Sequence, residues 1–189
     1  PAGIGGIYKT QVASPTTALF VDVADDLAVN LGTIADNTGR GLGAPEAYTF
    51  DGEAYGKAYK AGMGDLEYDE NSRTLWFTNL HESRIYGIQN VIQYVNNGTK
   101  PSPADLVDAA GWDVGYTCTT PNTTPRYFAI EIHKGDMYVS VTCLGEVAEA
   151  TQADQYVQIL KTDLSNPGIW TEVLNFPLNY IRKAHADRP

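Results

Sequence analysis

Cysteine, histidine and basic residues are all scarce in this chain, and each scarcity removes a class of function. Cys118 and Cys143 are the whole thiol inventory. No Cys-x-x-Cys spacing occurs, which removes the usual zinc-binding and thiol-redox readings. The 3 histidines, His81, His133 and His185, are scattered along the chain and fit no metal motif such as His-Glu-x-x-His. Lysine and arginine number 13 against 23 acidic residues, giving a net charge of −10. Such a surface lacks the clustered cations that bind phosphate backbones, which argues against nucleic acid. It is also repelled by anionic membrane surfaces. No apolar run reaches the roughly 18 residues of a membrane-spanning helix, so direct membrane insertion is not expected. The start, Pro1-Ala2-Gly3-Ile4-Gly5-Gly6, has neither the basic nor the apolar region of a signal peptide and no initiator Met. A processed product or an excised fragment is the expectation. There is no Gly-x-Ser-x-Gly nucleophile elbow. Gly39-Arg40-Gly41-Leu42-Gly43 lacks the Lys-Ser/Thr ending of a phosphate cradle and reads as a loop.

What is present favours strands and turns. Tyrosine is frequent, at 12, beside 18 glycines and 10 prolines, a balance that suits pleated sheets joined by tight turns. The stretch Gly62–Gln89 predicts three short strands around Leu66–Tyr68, Thr74–Thr78 and Arg84–Ile88. They are separated by the polar turns Asp69–Ser72 and His81–Ser83. Upstream, the alternation over Gly5–Val12 and the apolar stretch Thr17–Val23 predict a hairpin. Downstream, Tyr127–His133 and Met137–Cys143 flank Lys134-Gly135-Asp136, the clearest hairpin in the chain. Ala153–Lys161 and Trp170–Leu174 add two more strands around the turn Asp163–Gly168.

Between these runs the pattern weakens. Ala24–Gly56 reads as a long loop, with one weak helical turn over Asp51–Tyr59 opposed by Gly52 and Gly56. Val91–Val95 reads as an extended piece ending at the turn Asn96-Asn97-Gly98. Pro101–Gly111 is the best short-helix candidate, with Ser102 as N-cap, Pro103 at the first position and Gly111 as the stop. Asn179–Pro189 carries little apolar periodicity. The expectation is therefore an all-β chain. A loose repeat aligns Gly64-Asp65-Leu66-Glu67-Tyr68 with Arg126-Tyr127-Phe128-Ala129-Ile130, at a spacing longer than the ~40–50 residues of compact propeller repeats.

Five segments occur in order: Gly6-Ile7-Tyr8-Lys9, Gly56-Lys57 through Gly62-Met63-Gly64-Asp65-Leu66, Leu75–Leu80, Arg126–Ile130, and Phe176-Pro177-Leu178-Asn179-Tyr180. Together they resemble a β-propeller module of large secreted or cell-surface bacterial proteins, of the kind found beside adhesin-type repeats and secretion tails. The resemblance implies β-propeller-type blades of antiparallel strands with long loops, in a partial propeller of about three blades. These would span 1–60, 61–125 and 126–180, followed by a tail over 181–189. It also implies secretion or surface display, and an N-terminal half completed by a partner or neighbouring subunit, because half a propeller leaves sheets uncovered.

The function expected on that basis is non-enzymatic binding or assembly, with a protein or glycan as ligand. Tyr55, Tyr59, Trp112 and Tyr116 fall in the loops, where aromatic rings can stack on sugars or peptides; packing between sheets is the alternative. Cys118 and Cys143 flank the Arg126 hairpin. A disulfide between them would pin the preceding loop to the hairpin, contributing about 3 kcal/mol. Two separate thiols in a reducing compartment are the alternative. No cofactor is required. Calcium is conceivable at Asp22, Asp25 and Asp26, or at Asp65, Glu67 and Asp69, but neither set has the spacing of a defined calcium loop. The competing class is a metal-dependent propeller enzyme of the lactonase or lyase type, for which Glu67 would be the carboxylate to watch.

Overall fold

The computed structural model describes residues 4–13, 15–36, 38–42, 51–119, 123–143 and 151–178. The architecture is all-β, with every strand pairing antiparallel. β1 (Gly6–Thr10) and β2 (Thr17–Asp22) form the first sheet. β3 (Met63–Asp69), β4 (Thr74–Asn79) and β5 (Arg84–Ile88) form the second. β6 (Arg126–His133), β7 (Asp136–Cys143), β8 (Tyr156–Asp163) and β9 (Thr171–Pro177) form the third. In each sheet the strands follow sequence order, as tight turns dictate.

Turn chemistry explains these boundaries. The Asp69 carboxylate accepts from the Asn71 amide at 3.0 Å and the Ser72 hydroxyl at 2.6 Å. The Asn79 side-chain oxygen accepts from the His81 and Glu82 amides at 2.9 and 3.2 Å. Both are side chains standing in for backbone acceptors in a tight reversal. Lys134-Gly135 closes the β6–β7 hairpin with both residues at positive φ, the geometry that two-residue hairpins favour.

The sheets stack face to face. In the middle sheet the two faces alternate, and each packs on a different neighbour. Phe77, Tyr86 and Ile88 join Ile7, Phe20, Val21, Leu27, Val29 and Leu31 in one core. Trp76 and Ile85 join Tyr127, Ile130, Met137, Val139 and Leu160 in the other. Gly87 stands opposite Trp76 in the β4–β5 register. A Cβ there would lie 2.8 Å from the Trp76 ring, so glycine makes room for the indole.

Beyond β2 the chain runs as a loop, as expected, with Leu27, Val29 and Leu31 buried, and the weak helical turn expected over Asp51–Tyr59 forms as α1 (Gly52–Lys57), with Asp51 as its N-cap, accepting from the Ala54 amide at 2.9 Å. No residue of α1 is buried, which fits the glycines that weaken it.

One expectation is corrected outright. Val91–Val95 is not extended; α2 (Val91–Asn97) is a helix. Gly98 at φ 65 caps it by donating to Tyr94 and Val95 carbonyls, so the Asn-Gly signal marks a helix end rather than a hairpin turn. The helix expected after Pro101 shrinks to a 3-10 turn over Pro103–Asp105, with Ser102 and Asp105 forming a capping box.

The stretch beyond that turn is also not a free loop. Val107 donates to Gly87 at 2.8 Å, and Trp112 and Ile85 exchange two backbone hydrogen bonds at 2.8 and 3.0 Å. The chain thus lies along the open edge of β5 and covers it, as exposed edges require. Residues 179–189, including the proposed tail, lie outside the described residues.

Candidate binding site

The edge-covering segment positions the principal candidate site. Its backbone bonds to Ile85 fix Trp112, whose ring centroid lies 4.5 Å from that of Trp76 at a tilt of 44°. Asp113 is then held from three sides. Its Oδ1 accepts from the Gly115 amide at 2.8 Å and from the Tyr127 hydroxyl at 3.0 Å. Its Oδ2 pairs with Arg84 Nη1 at 2.7 Å. Burial pushes the Asp113 carboxyl up, but the Gly115 amide, the Tyr127 hydroxyl and the Arg84 guanidinium outweigh it and leave it below the usual carboxylate range.

Tyr127 sits under this arrangement, almost wholly buried. Its hydroxyl also accepts from the Val114 amide at 3.3 Å. Burial, then the Asp113 charge and hydrogen bond, raise its pKa well above that of a free phenol. Tyr127 is therefore a neutral strut at all physiological pH values.

The disulfide closes the far end of the segment. Cys118 and Cys143 are bonded, with Cα atoms 5.7 Å apart, and both are buried. Tyr116 donates to the Tyr156 hydroxyl at 2.7 Å, and the two rings meet edge to face. Burial and that hydrogen bond raise Tyr116 above a free phenol. The segment from Trp112 to Cys118 is thus anchored to β5, β6, β8 and β7 in turn.

Trp112 and Trp170 line a pocket of about 300 Å³ together with Arg84, Asp108, Asp113 and the Pro167-Gly168 turn. Aromatic surface beside a carboxylate–guanidinium pair offers stacking, donors and acceptors within one concavity.

The four aromatics expected as a binding set are not brought together. Trp112 lines this pocket, and Tyr116 packs against the second core. Tyr55 is 78% exposed on α1, and Tyr59 follows the helix at φ 60 with Lys60 Nζ 5.4 Å from its ring. Neither tyrosine borders the Trp112 pocket among the described residues. Trp170, Arg84 and Asp113 were missed in the sequence. Trp170 stands two residues after the Pro167-Gly168 turn, a place where a large aromatic is held at a surface; Arg84 and Asp113 meet only through the fold.

Asp22, Asp26, Asp65 and Asp69, among the carboxylates considered for calcium, have other partners. Asp22 Oδ1 accepts from the Ala24 and Asp25 amides, and Asp26 Oδ2 accepts from the Asp22 amide and from Lys100 Nζ at 2.6 Å. Asp69 is used by its turn. Asp65 accepts from the Leu66 amide at 2.9 Å and, across the sheets, from the Ile130 amide at 3.2 Å. Glu67 is raised above the ordinary glutamate value by burial, then by the Glu131 and Asp65 charges. Among the described residues no group of three or more His, Cys, Asp or Glu is placed to hold a metal, and no helix is long and apolar enough to cross a membrane.

No family model, curated protein or solved structure matches the chain.

Proposed function

We propose that the chain is a propeller-type portion of an extracellular bacterial protein, serving as a non-enzymatic binding or assembly module. The observation that carries this reading is internal repetition. β3 and β6 open consecutive meanders, each strand bulges by one residue, and the two strands pack along each other through Gly64, whose Cβ position lies 2.6 Å from the Phe128 carbonyl. Blades of a propeller stack their sheets and line the axis with first strands in this way.

Uncovered faces support the assembly side. Tyr8 and Leu19 pair on the outer face of the first sheet and are 51% and 37% exposed. All seven residues of β9 are exposed. Stacked sheets of a neighbouring subunit or domain would bury these surfaces. The disulfide fits an oxidising compartment. The Trp112–Trp170 pocket supplies the binding side, suited to a sugar or an aromatic-bearing peptide.

The test pairs light scattering of the chain over a concentration series with glycan and peptide arrays probed with the chain and with Trp170→Ala. Self-association, or an array ligand lost in Trp170→Ala, is the expected result. A monomer at every concentration that retains no ligand overturns the reading.

A further inference from the structure

The charges lining the Trp112–Trp170 pocket do not balance. Asp108 and Asp113 stand against Arg84 alone among the described lining residues, and that guanidinium is engaged with Asp113 at 2.7 Å. Asp108 is the remainder. Its Oδ1 accepts from the Ala110 amide at 2.8 Å, and its Oδ2 has no partner among the described residues. The lining residues, and the chain on either side of each, all lie within the described residues.

A spare carboxylate is ordinary on a chain with 23 acidic residues against 13 lysines and arginines. Its surroundings are not. Trp112 and Trp170 are both half-buried and line the same concavity, and the electron-rich face of an indole attracts a cation better than a phenyl or phenol ring does. Rings and carboxylate therefore favour the same sign of charge. An anionic ligand would reach Arg84 only by sharing it with Asp113.

The turn that carries Asp108 is fixed by its own contacts. Val107 donates to the Gly87 carbonyl at 2.8 Å, and the Gly111 amide donates to the Asp108 carbonyl at 3.1 Å. The Tyr86 hydroxyl reaches the Ala110 carbonyl at 3.4 Å. Gly111, at φ +69, lets the Tyr86 ring lie against the turn, since a Cβ there would come within 2.7 Å of it. A carboxylate held in place in this way costs little ordering when a ligand binds.

We propose that the Trp112–Trp170 pocket takes a protonated amine, held against the indole rings and the Asp108 carboxylate. An ammonium group brings donors and no acceptor, which matches an open carboxylate oxygen through a charge-assisted hydrogen bond. The cavity of about 300 Å³ has room for the small body that carries the amine, a sugar ring or an alkyl chain. This inference rests on the reading of the pocket as the binding site and names the chemistry of its ligand.

The experiment is an NMR titration of the folded chain, read at the indole N–H signals of Trp112 and Trp170 and at the Gly111 and Gly168 amides. Glucosamine and Nα-acetyl-lysine amide carry the amine. N-acetylglucosamine and Nα-acetyl-norleucine amide are their uncharged counterparts, and glucuronate supplies the opposite charge. All are run at slightly acidic pH and matched ionic strength. Saturable shifts are expected with at least one amine and with neither its uncharged counterpart nor glucuronate; the amine that binds identifies the carrier. Asp108→Asn, which keeps an acceptor for the Ala110 amide, should weaken amine binding by about tenfold, the worth of a charge-assisted hydrogen bond. Trp170→Leu should weaken it several-fold by removing a ring face. An uncharged counterpart bound as tightly as its amine, a preference for glucuronate, or full amine binding by Asp108→Asn would overturn the amine inference while leaving the pocket a binding site. No saturable shift with any probe would overturn it too, and the array experiment then decides the binding reading separately.

Discussion

Ala129 occupies in β6 the position that Asp65 occupies in β3. Gly64 and Asp65 together oppose Thr78, and Phe128 and Ala129 together oppose Ser140. The Asp65 amide donates to the Thr78 hydroxyl at 3.0 Å, and the Ala129 amide donates to the Ser140 hydroxyl at 2.9 Å. Each bulge frees an amide from the ladder, and each sheet supplies a hydroxyl on the next strand to receive it. The two bulges are also tied to one another, because Ile130 donates to Asp65 and Thr78 donates to the Phe128 carbonyl.

This seam makes Gly64 the most sensitive glycine for the packing of the sheets. A methyl there meets two backbone carbonyls and the Thr78 hydroxyl at 2.6–2.9 Å, and backbone cannot swing aside as a side-chain tip does. Gly64→Ala should destabilise the fold by about 1–3 kcal/mol, the usual cost of overpacking. Gly56→Ala, in α1 with nothing within 4 Å of the new Cβ, should stabilise by about 0.5–1 kcal/mol through helix propensity. Urea unfolding of the two variants checks both signs.

The sequence reading set the openings Gly64–Tyr68 and Arg126–Ile130 side by side, while in the structure the bulges lie at Gly64-Asp65 and at Phe128-Ala129. The shared feature is backbone geometry, and Gly-Asp and Phe-Ala have no side-chain chemistry in common. Strand order and hairpins were legible because alternation and turn residues are local signals. Leu27, Val29 and Leu31 alternate as well, but the acidic residues and glycines around them masked a run that is core without being strand. The Trp112 pocket was half legible: an aromatic in a loop can be read, while the Arg84–Asp113 pair depends on the loop returning along β5.

Removing the disulfide tests how far that loop relies on covalent closure. Cys118 and Cys143 are 25 residues apart in sequence, a loop for which the chain-entropy account gives about 3 kcal/mol. The double substitution to alanine should lower stability by about that amount, measured by denaturant unfolding. A loss far below 1 kcal/mol would mean that the Tyr116–Tyr156 and Asp113–Tyr127 contacts alone hold the segment.

Tyr127→Phe removes one hydroxyl from the buried Val114 amide and from the half-exposed Asp113. The Val114 amide loses its acceptor and Asp113 loses a donor, and an unsatisfied buried group costs about 1–3 kcal/mol. Tyr116→Phe breaks only a hydroxyl pair at a half-buried position and should cost less than about 1 kcal/mol. Thermal unfolding of the two variants should therefore rank Tyr127→Phe as the more damaging. The reverse order would place the anchor of the segment on β8 rather than β6.

Two carboxyls should give opposite pH signatures. Asp113 is held below its unfolded value, so the stability it contributes is fully present above the ordinary aspartate range and is lost as pH falls through its lowered folded value. Glu67 is raised by burial and by Glu131 and Asp65, so its native state binds more protons than the unfolded chain across the glutamate range. Stability then falls as pH rises through that window and stays lower above it. Glu67→Gln should accordingly stabilise the protein at neutral pH and make little difference at a pH below the ordinary glutamate range. Asp113→Asn should destabilise it at neutral pH, with the difference shrinking in acid. Unfolding free energies of the wild type and both variants, measured from acid to neutral pH, check the two slopes. A Glu67→Gln variant less stable than wild type at neutral pH would show that the carboxylate is a required partner at the β3–β6 seam rather than a repelled charge.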